Sequence, residues 1–198
     1  MTDILNLDIV ALVKIIGYLG IFGIVFAESG LFFGLFLPGD SLLFTSGLLA
    51  SQGLFNIYWL VFVVASAAIL GDSIGYWFGS KVGYKIFTKE DSLFFNKKYL
   101  EKTKEYYEKY GPMTVVIGRF VPIVRTFAPI LAGVGEMNYR TFLSYNVIGA
   151  FLWAVGLTLL GFFLGSVIPG IEEYILPIIV LIIFVSILPV LLNLKSKK

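Results

Sequence analysis

The sequence predicts an all-α integral membrane protein, built as an inverted repeat of a re-entrant helical hairpin plus a transmembrane helix, with an extra C-terminal span. The first supporting observation is composition. Of 198 residues, 58% are hydrophobic and only 14% charged, against about 25% charged in soluble domains, and the mean hydropathy is +0.91. The second is that long apolar runs are of two kinds, some uninterrupted and some broken by proline and charge. The third is a faint internal repeat: Gly75-Tyr76-Trp77-Phe78-Gly79-Ser80 closes one long run and Gly161-Phe162-Phe163-Leu164-Gly165-Ser166 closes another.

Composition also sets limits. A chain of this length accommodates a single membrane domain, 1–198, with no separate soluble catalytic domain. It holds no cysteine and no histidine, which removes disulfides, thiolate metal sites, cysteine nucleophiles and histidine-dependent phosphatase or triad chemistry. No cofactor or metal is expected, and no nucleic-acid partner. The start, Met1-Thr2-Asp3, lacks the basic stretch of a cleavable signal peptide.

Apolar stretches fall at roughly 9–27, 31–50, 54–80, 113–134, 141–168 and 171–192. A helix needs about 20 apolar residues to cross a bilayer core, and 54–80, 141–168 and 171–192 satisfy that cleanly. In the first stretch, 4–16 carries Asp8 and Lys14 and is expected as an interfacial helix leading to a short membrane segment from Gly17 to Ala27. The alternative is one full span.

Stretches 31–50 and 113–134 read differently. Pro38-Gly39-Asp40 interrupts the former; Pro122 and Pro129 interrupt the latter, which also carries Arg119 and Arg125. Each half is about 14 Å of helix at 1.5 Å per residue, the length of a hairpin arm that enters halfway and returns. Irregular backbone at such depth requires burial in protein or a wet cavity. Parity agrees. Eight lysines lie between Lys81 and Lys109, and three more are Lys195, Lys197 and Lys198. Both groups face the cytoplasm under the positive-inside rule only if 113–134 is re-entrant. Hairpin plus span then occurs twice in opposite sense, a construction that places transporter sites near the midplane.

Residues 92–110 between the halves predict a helix ended by Gly111-Pro112, with Phe95, Tyr99, Tyr106 and Tyr110 among lysines and glutamates. This suits a cytoplasmic helix in the headgroup region, or a solvated connector anchored by its tyrosines. Gly71, Gly75, Gly79 and Gly83 recur every four residues, the spacing of a close helix-packing face.

The candidate functional residues are charges in apolar surroundings: Glu28, Asp40, Asp72, Arg119 and Arg125. Ionisable groups inside a membrane are costly and point to function by default. On an unbroken helix Arg119 and Arg125 would point about 240° apart, but Pro122 breaks the helix between them and allows both to turn to one point. Paired guanidiniums bind carboxylate or phosphate through planar forks. They therefore call for an anion, either the protein's own carboxylates or a ligand phosphate, and a purely structural Arg–carboxylate pair is the alternative. Glu28, Asp40 and Asp72 supply the acids. A headgroup displacing one of them would free it to take up a proton, which offers a route to proton coupling. Asp72, in Gly71-Asp72-Ser73, ranks below the other two because it fits a helix-packing hydrogen bond equally well.

The set Glu28 … Phe36-Leu37-Pro38-Gly39-Asp40, Gly71-Asp72-x-x-Gly75-Tyr76-x-x-Gly79 and Gly118-Arg119-Phe120-x-Pro122-x-x-Arg125-Thr126 … Ala132-Gly133 resembles the DedA family, which shares its core with the eukaryotic VTT-domain scramblases. The resemblance covers 17–168. It implies two inverted re-entrant hairpins facing each other, and movement of lipids between leaflets. The implied substrate is undecaprenyl phosphate or a phospholipid. The family's acidic pair falls on Glu28 and Asp40, and its arginine pair on Arg119 and Arg125.

The expected function is therefore a lipid flippase or scramblase of the bacterial plasma membrane, with proton coupling and with a homo-oligomer compatible. A proton/cation antiporter is the second class. A polyprenyl-pyrophosphate phosphatase is the third and weakest. Pro38-Gly39-Asp40-Ser41 is followed by Leu42-Leu43-Phe44 where such an enzyme needs arginine and serine, and a nucleophile needs an adjacent base.

Overall fold

The computed structural model describes residues 2–30, 39–82 and 97–168. The described residues form helices joined by short turns, with no strand. In order they form α1 (Thr2–Gly30), α2 (Gly39–Ser51), α3 (Ile57–Val82), α4 (Lys97–Tyr110), α5 (Thr114–Ile117), α6 (Pro122–Val134), α7 (Tyr139–Ala150) and α8 (Gly156–Val167). Short 3-10 turns flank α5, and a π-turn, Phe151–Val155, joins α7 to α8. Two helices are long and apolar enough to cross a membrane, Ile57–Val82 and the continuous run Tyr139–Val167. They match the expected spans 54–80 and 141–168. The expected span 171–192, the first arm of the 31–50 hairpin with Pro38, and Gly83 lie outside the described residues.

The N-terminal segment is one continuous helix, α1, with no break between 4–16 and the segment from Gly17 to Ala27. Residues 4–16 contain neither proline nor glycine. Charged side chains such as Asp8 and Lys14 leave the backbone ladder intact, so nothing there ends a helix.

The chain divides into two compact units. Among the described residues, the first comprises 2–21, 39–64 and 154–168; the second comprises 22–30, 65–82 and 97–153. In the first unit α2 crosses α8 at backbone distance. A Cβ on Gly47 would meet the Thr158 carbonyl, and one on Gly161 would meet the Phe44 carbonyl. Asn56 starts α3 by accepting from the N–H groups of Tyr58 and Trp59 at 3.0 and 3.3 Å. Its own N–H donates to the Tyr18 hydroxyl at 2.7 Å.

The second unit repeats the device on α3 and α6. A Cβ on Gly79 would meet the Ile130 carbonyl, and one on Gly133 the Tyr76 carbonyl. Gly71 serves a different neighbour: its Cβ would come within 2.8 Å of the Phe26 carbonyl on α1. The four-residue glycine spacing is thus a packing face, and it seats two elements in turn. Every residue of α6 from Val124 to Gly133 is buried, as expected of a helix enclosed by protein on all sides. Gly133→Leu should therefore lower stability toward the upper end of the ~1–3 kcal/mol typical of overpacking, because the obstacle is backbone. Gly20→Leu, with open space around its Cβ, should be near neutral; thermal unfolding in detergent compares the two.

α4 docks on α6 through Tyr107, whose hydroxyl donates to the Ala128 carbonyl at 2.8 Å; Thr103 on the same helix is buried. Burial, and after it the Asp72 carboxylate, pushes the Tyr107 phenol above its usual range, so it stays a donor. Gly111, at φ +55°, ends α4 where Gly111-Pro112 predicts.

Candidate functional site

The stretch around the arginines is not one helix. Val121 is extended, with φ −122° and ψ 107°, and Pro122 occupies the first turn of α6 with no side-chain cap before it. The missing N–H of Pro122 costs nothing there, because the first amides of a helix have no intrahelical acceptor. The chain doubles back at this point. A Cβ on Gly118 would lie 2.9 Å from Val124 Cγ1 and 3.6 Å from Ala128 Cβ. The break turns Arg119, before it, and Arg125, after it, onto one indole. The guanidinium carbons lie 5.7 and 4.9 Å from the Trp153 ring centre.

Each arginine has a carboxylate. Arg125 Nη2 donates to Glu28 Oε1 at 2.5 Å, and Arg119 Nη2 donates to Asp72 Oδ2 at 2.6 Å. All four side chains are at most 4% exposed. Arg119 Nη2 also donates to Asn146 Oδ1 at 2.5 Å and lies 3.4 Å from the Ala68 carbonyl. Asn146 in turn donates to the Ile69 carbonyl at 3.0 Å, tying α7 to α3. The load on Arg119 is uneven. Its Nε and Nη1, like Asp72 Oδ1, have no hydrogen-bond partner among the described residues. This guanidinium keeps N–H groups for a further acceptor while it holds Asp72.

Local sequence explains the placement. Glu28 lies in the last turn of α1, where Gly30 and Gly71 bring α1 against α3, and Asp72 follows Gly71 directly. Gly149 leaves the room that Arg119 occupies: a Cβ there would be 2.9 Å from both Cδ and Nε of the arginine. Trp153 lies inside the π-turn. An extra residue of this kind is frequent at functional sites. Here the buried positions 142, 146, 149 and 153 give way to 154, 158 and 161, a stripe displaced by one residue.

Comparison with known proteins identifies the family. The VTT-domain family model matches residues 37–163. The chain is 48% identical over 174 residues to Protein DedA of Escherichia coli K12, covering 87% of this chain and 79% of that protein. The chain belongs to the VTT-domain, or DedA, family. An uncharacterized membrane protein of Mycobacterium tuberculosis is 47% identical over 176 residues, covering 88% of this chain and 77% of its own length. The inner membrane protein YqjA of Escherichia coli K12 is 33% identical over 149 residues, with 75% and 68% coverage. No solved structure matches. As a DedA-family member with these relatives and two span-length apolar helices, this is a membrane protein.

Within this DedA-family site, four of the five charges picked from the sequence pair as Glu28–Arg125 and Asp72–Arg119. Asp72, the candidate ranked last among the acids, is the direct partner of Arg119. Asp40 belongs to the first unit, exposed in the opening turn of α2, where Gly39 is the first residue. A carboxylate in a first turn complements the helix amides. Two site residues were missed. Asn146 had a signal, as the lone amide in the uncharged stretch 141–168. Trp153 had none, since an aromatic in an apolar span is ordinary. Among the described residues, no group of three or more His, Cys, Asp or Glu converges as a metal centre.

Proposed function

We propose that the protein is a lipid-phosphate flippase or scramblase of the bacterial membrane, moving undecaprenyl phosphate or a phospholipid between leaflets with proton coupling. The observation that carries this reading is the pair of buried guanidiniums on one indole, each held by a carboxylate of the protein itself. A phosphate is the natural competitor for those carboxylates, because two of its oxygens accept the same guanidinium fork and a monoester carries up to two negative charges. Its arrival frees an acid to take a proton, and its departure restores the pair. The hydrocarbon tail stays in the bilayer throughout.

The extended break at Val121 and the enclosure of α6 support a re-entrant second hairpin. Reciprocal glycine crossings, α2 with α8 and α3 with α6, support an inverted repeat. In this reading the protein is multi-pass, with the lysine-rich 81–110 region and the C-terminus cytoplasmic. It is a transporter rather than an enzyme, since the chain has neither histidine nor cysteine to activate a hydrolytic nucleophile.

The test is purified protein in liposomes carrying labelled undecaprenyl phosphate in one leaflet, with leaflet accessibility followed with and without a pH gradient. The wild type should accelerate exchange, and Arg119→Ala and Arg125→Ala should each lose at least about tenfold, the equivalent of ~1.4 kcal/mol. Release of phosphate would replace this reading with an enzyme. Cation-driven proton flux without lipid movement would replace it with an antiporter.

A further inference from the structure

Trp153 stands apart from the charged groups that the lipid-phosphate reading uses. It is 1% exposed, one of the largest fully buried side chains, and lies within the π-turn. One indole borders both guanidiniums, at 4.9 Å from Arg125 and 5.7 Å from Arg119. Two like charges gathered on a single ring repel one another. The negative face of an indole offsets part of that repulsion, and tryptophan is the strongest of the aromatic partners for a cation. A flat apolar wall also covers part of the guanidinium surface, and so restricts how an anion approaches.

The surroundings fix the ring. α7 supplies Asn146 and Gly149 to Arg119 from the same helical run that carries Trp153. The register slip at Phe151–Val155 places Trp153 as the last member of that stripe. The ring and the amide therefore hold Arg119 from one helix, while Asp72 holds it from α3.

We infer that Trp153 is a positioning residue, setting the spacing and orientation of the Arg119 and Arg125 guanidiniums for an incoming phosphate without itself contacting the phosphate. The inference rests on the lipid-phosphate reading for its functional consequence, but its geometric half does not. It predicts that the site is sensitive to loss of the aromatic face rather than to loss of volume. Leucine removes the face; phenylalanine keeps a weaker one.

Two measurements decide it. In the liposome assay, Trp153→Leu should raise the half-saturating undecaprenyl phosphate concentration about tenfold, a desolvated cation–π contribution, with the maximal rate within about twofold. Trp153→Phe should recover most of that loss, and both variants should unfold at similar temperatures in detergent. A purely structural tryptophan would give matched losses in stability and maximal rate for both. Half-saturation unchanged in Trp153→Leu while the wild type moves lipid would overturn the inference and leave the transport reading intact.

The second measurement needs no transport. Trp59→Phe with Trp77→Phe removes two exposed indoles and leaves Trp153 as the only one of the chain's three tryptophans. Arg125→Leu in that background, combined with Glu28→Gln so that no buried charge is stranded, should shift the Trp153 emission maximum of the ligand-free, folded protein relative to Glu28→Gln alone. Geranyl phosphate should perturb the emission when Arg125 is present and not when it is absent. If the wild type moves no lipid, the transport reading fails, and the arginine-dependent shift alone decides the geometry. Emission indifferent to Arg125→Leu sinks the positioning role.

Discussion

Arg125→Met should destabilise the protein by about 3–5 kcal/mol, the usual cost of stranding one member of a buried ion pair, and adding Glu28→Gln should restore most of that loss without restoring lipid movement. The asymmetry follows from burial. Glu28 is fully enclosed and Arg125 nearly so, so a charge left behind cannot recover its energy from water. Two neutral side chains of similar size remove the penalty, since a buried pair often contributes little net stability over apolar replacements. Thermal unfolding in detergent supplies the stability cycle, and the liposome assay supplies activity. If the double variant moves lipid at the wild-type rate, Glu28–Arg125 is only a brace between α1 and α6, and the arginine is not an anion ligand.

Asp72→Asn should be nearly as costly, at about 3 kcal/mol or more, whereas Asp40→Asn should stay within about 1 kcal/mol of wild type. Asp72 is 1% exposed and carries the ion pair to Arg119; asparagine keeps the shape and strands the guanidinium charge. Asp40 is exposed in the first turn of α2, where a carboxylate complements the helix amides. Unfolding midpoints of the two variants, measured side by side, check this ordering. Equal midpoints would mean that Asp72 is not the counter-ion of Arg119. The contrast also makes Asp40 a clean probe, because transport lost in a fully stable Asp40→Asn protein would belong to function.

The site was largely legible because charge in an apolar run is conspicuous. Glu28, Asp72, Arg119 and Arg125 were all marked by that rule, and the proline between the arginines announced the break that the structure places at Val121. Which acid serves which arginine was not legible. That pairing depends on α1 meeting α3 at Gly71 and on the fold-back at Gly118, and neither contact is encoded in local periodicity. The glycine spacing along α3 identified a packing face but not that two different helices share it. Asn146 and Trp153 escaped for a related reason: their importance lies in what a distant segment brings to them. The unbroken course of α1 is not legible from charge, because Asp8 and Lys14 leave the backbone ladder intact.

The break at Val121 has an electrostatic side as well. By ending one helical segment and opening another, it exposes the amino end of α6, uncapped by any side chain and three residues from Arg125. The aligned peptide dipoles of α6 place about half a positive charge at that end. Around the arginines, formal charge balances as Arg119 and Arg125 against Glu28 and Asp72. The amides of α6 add partial positive charge beside this set, offset in part by the carboxyl ends of the turn at Phe120 and of α1 at Gly30. In the lipid-phosphate reading, an incoming anion would therefore meet free backbone donors as well as guanidiniums.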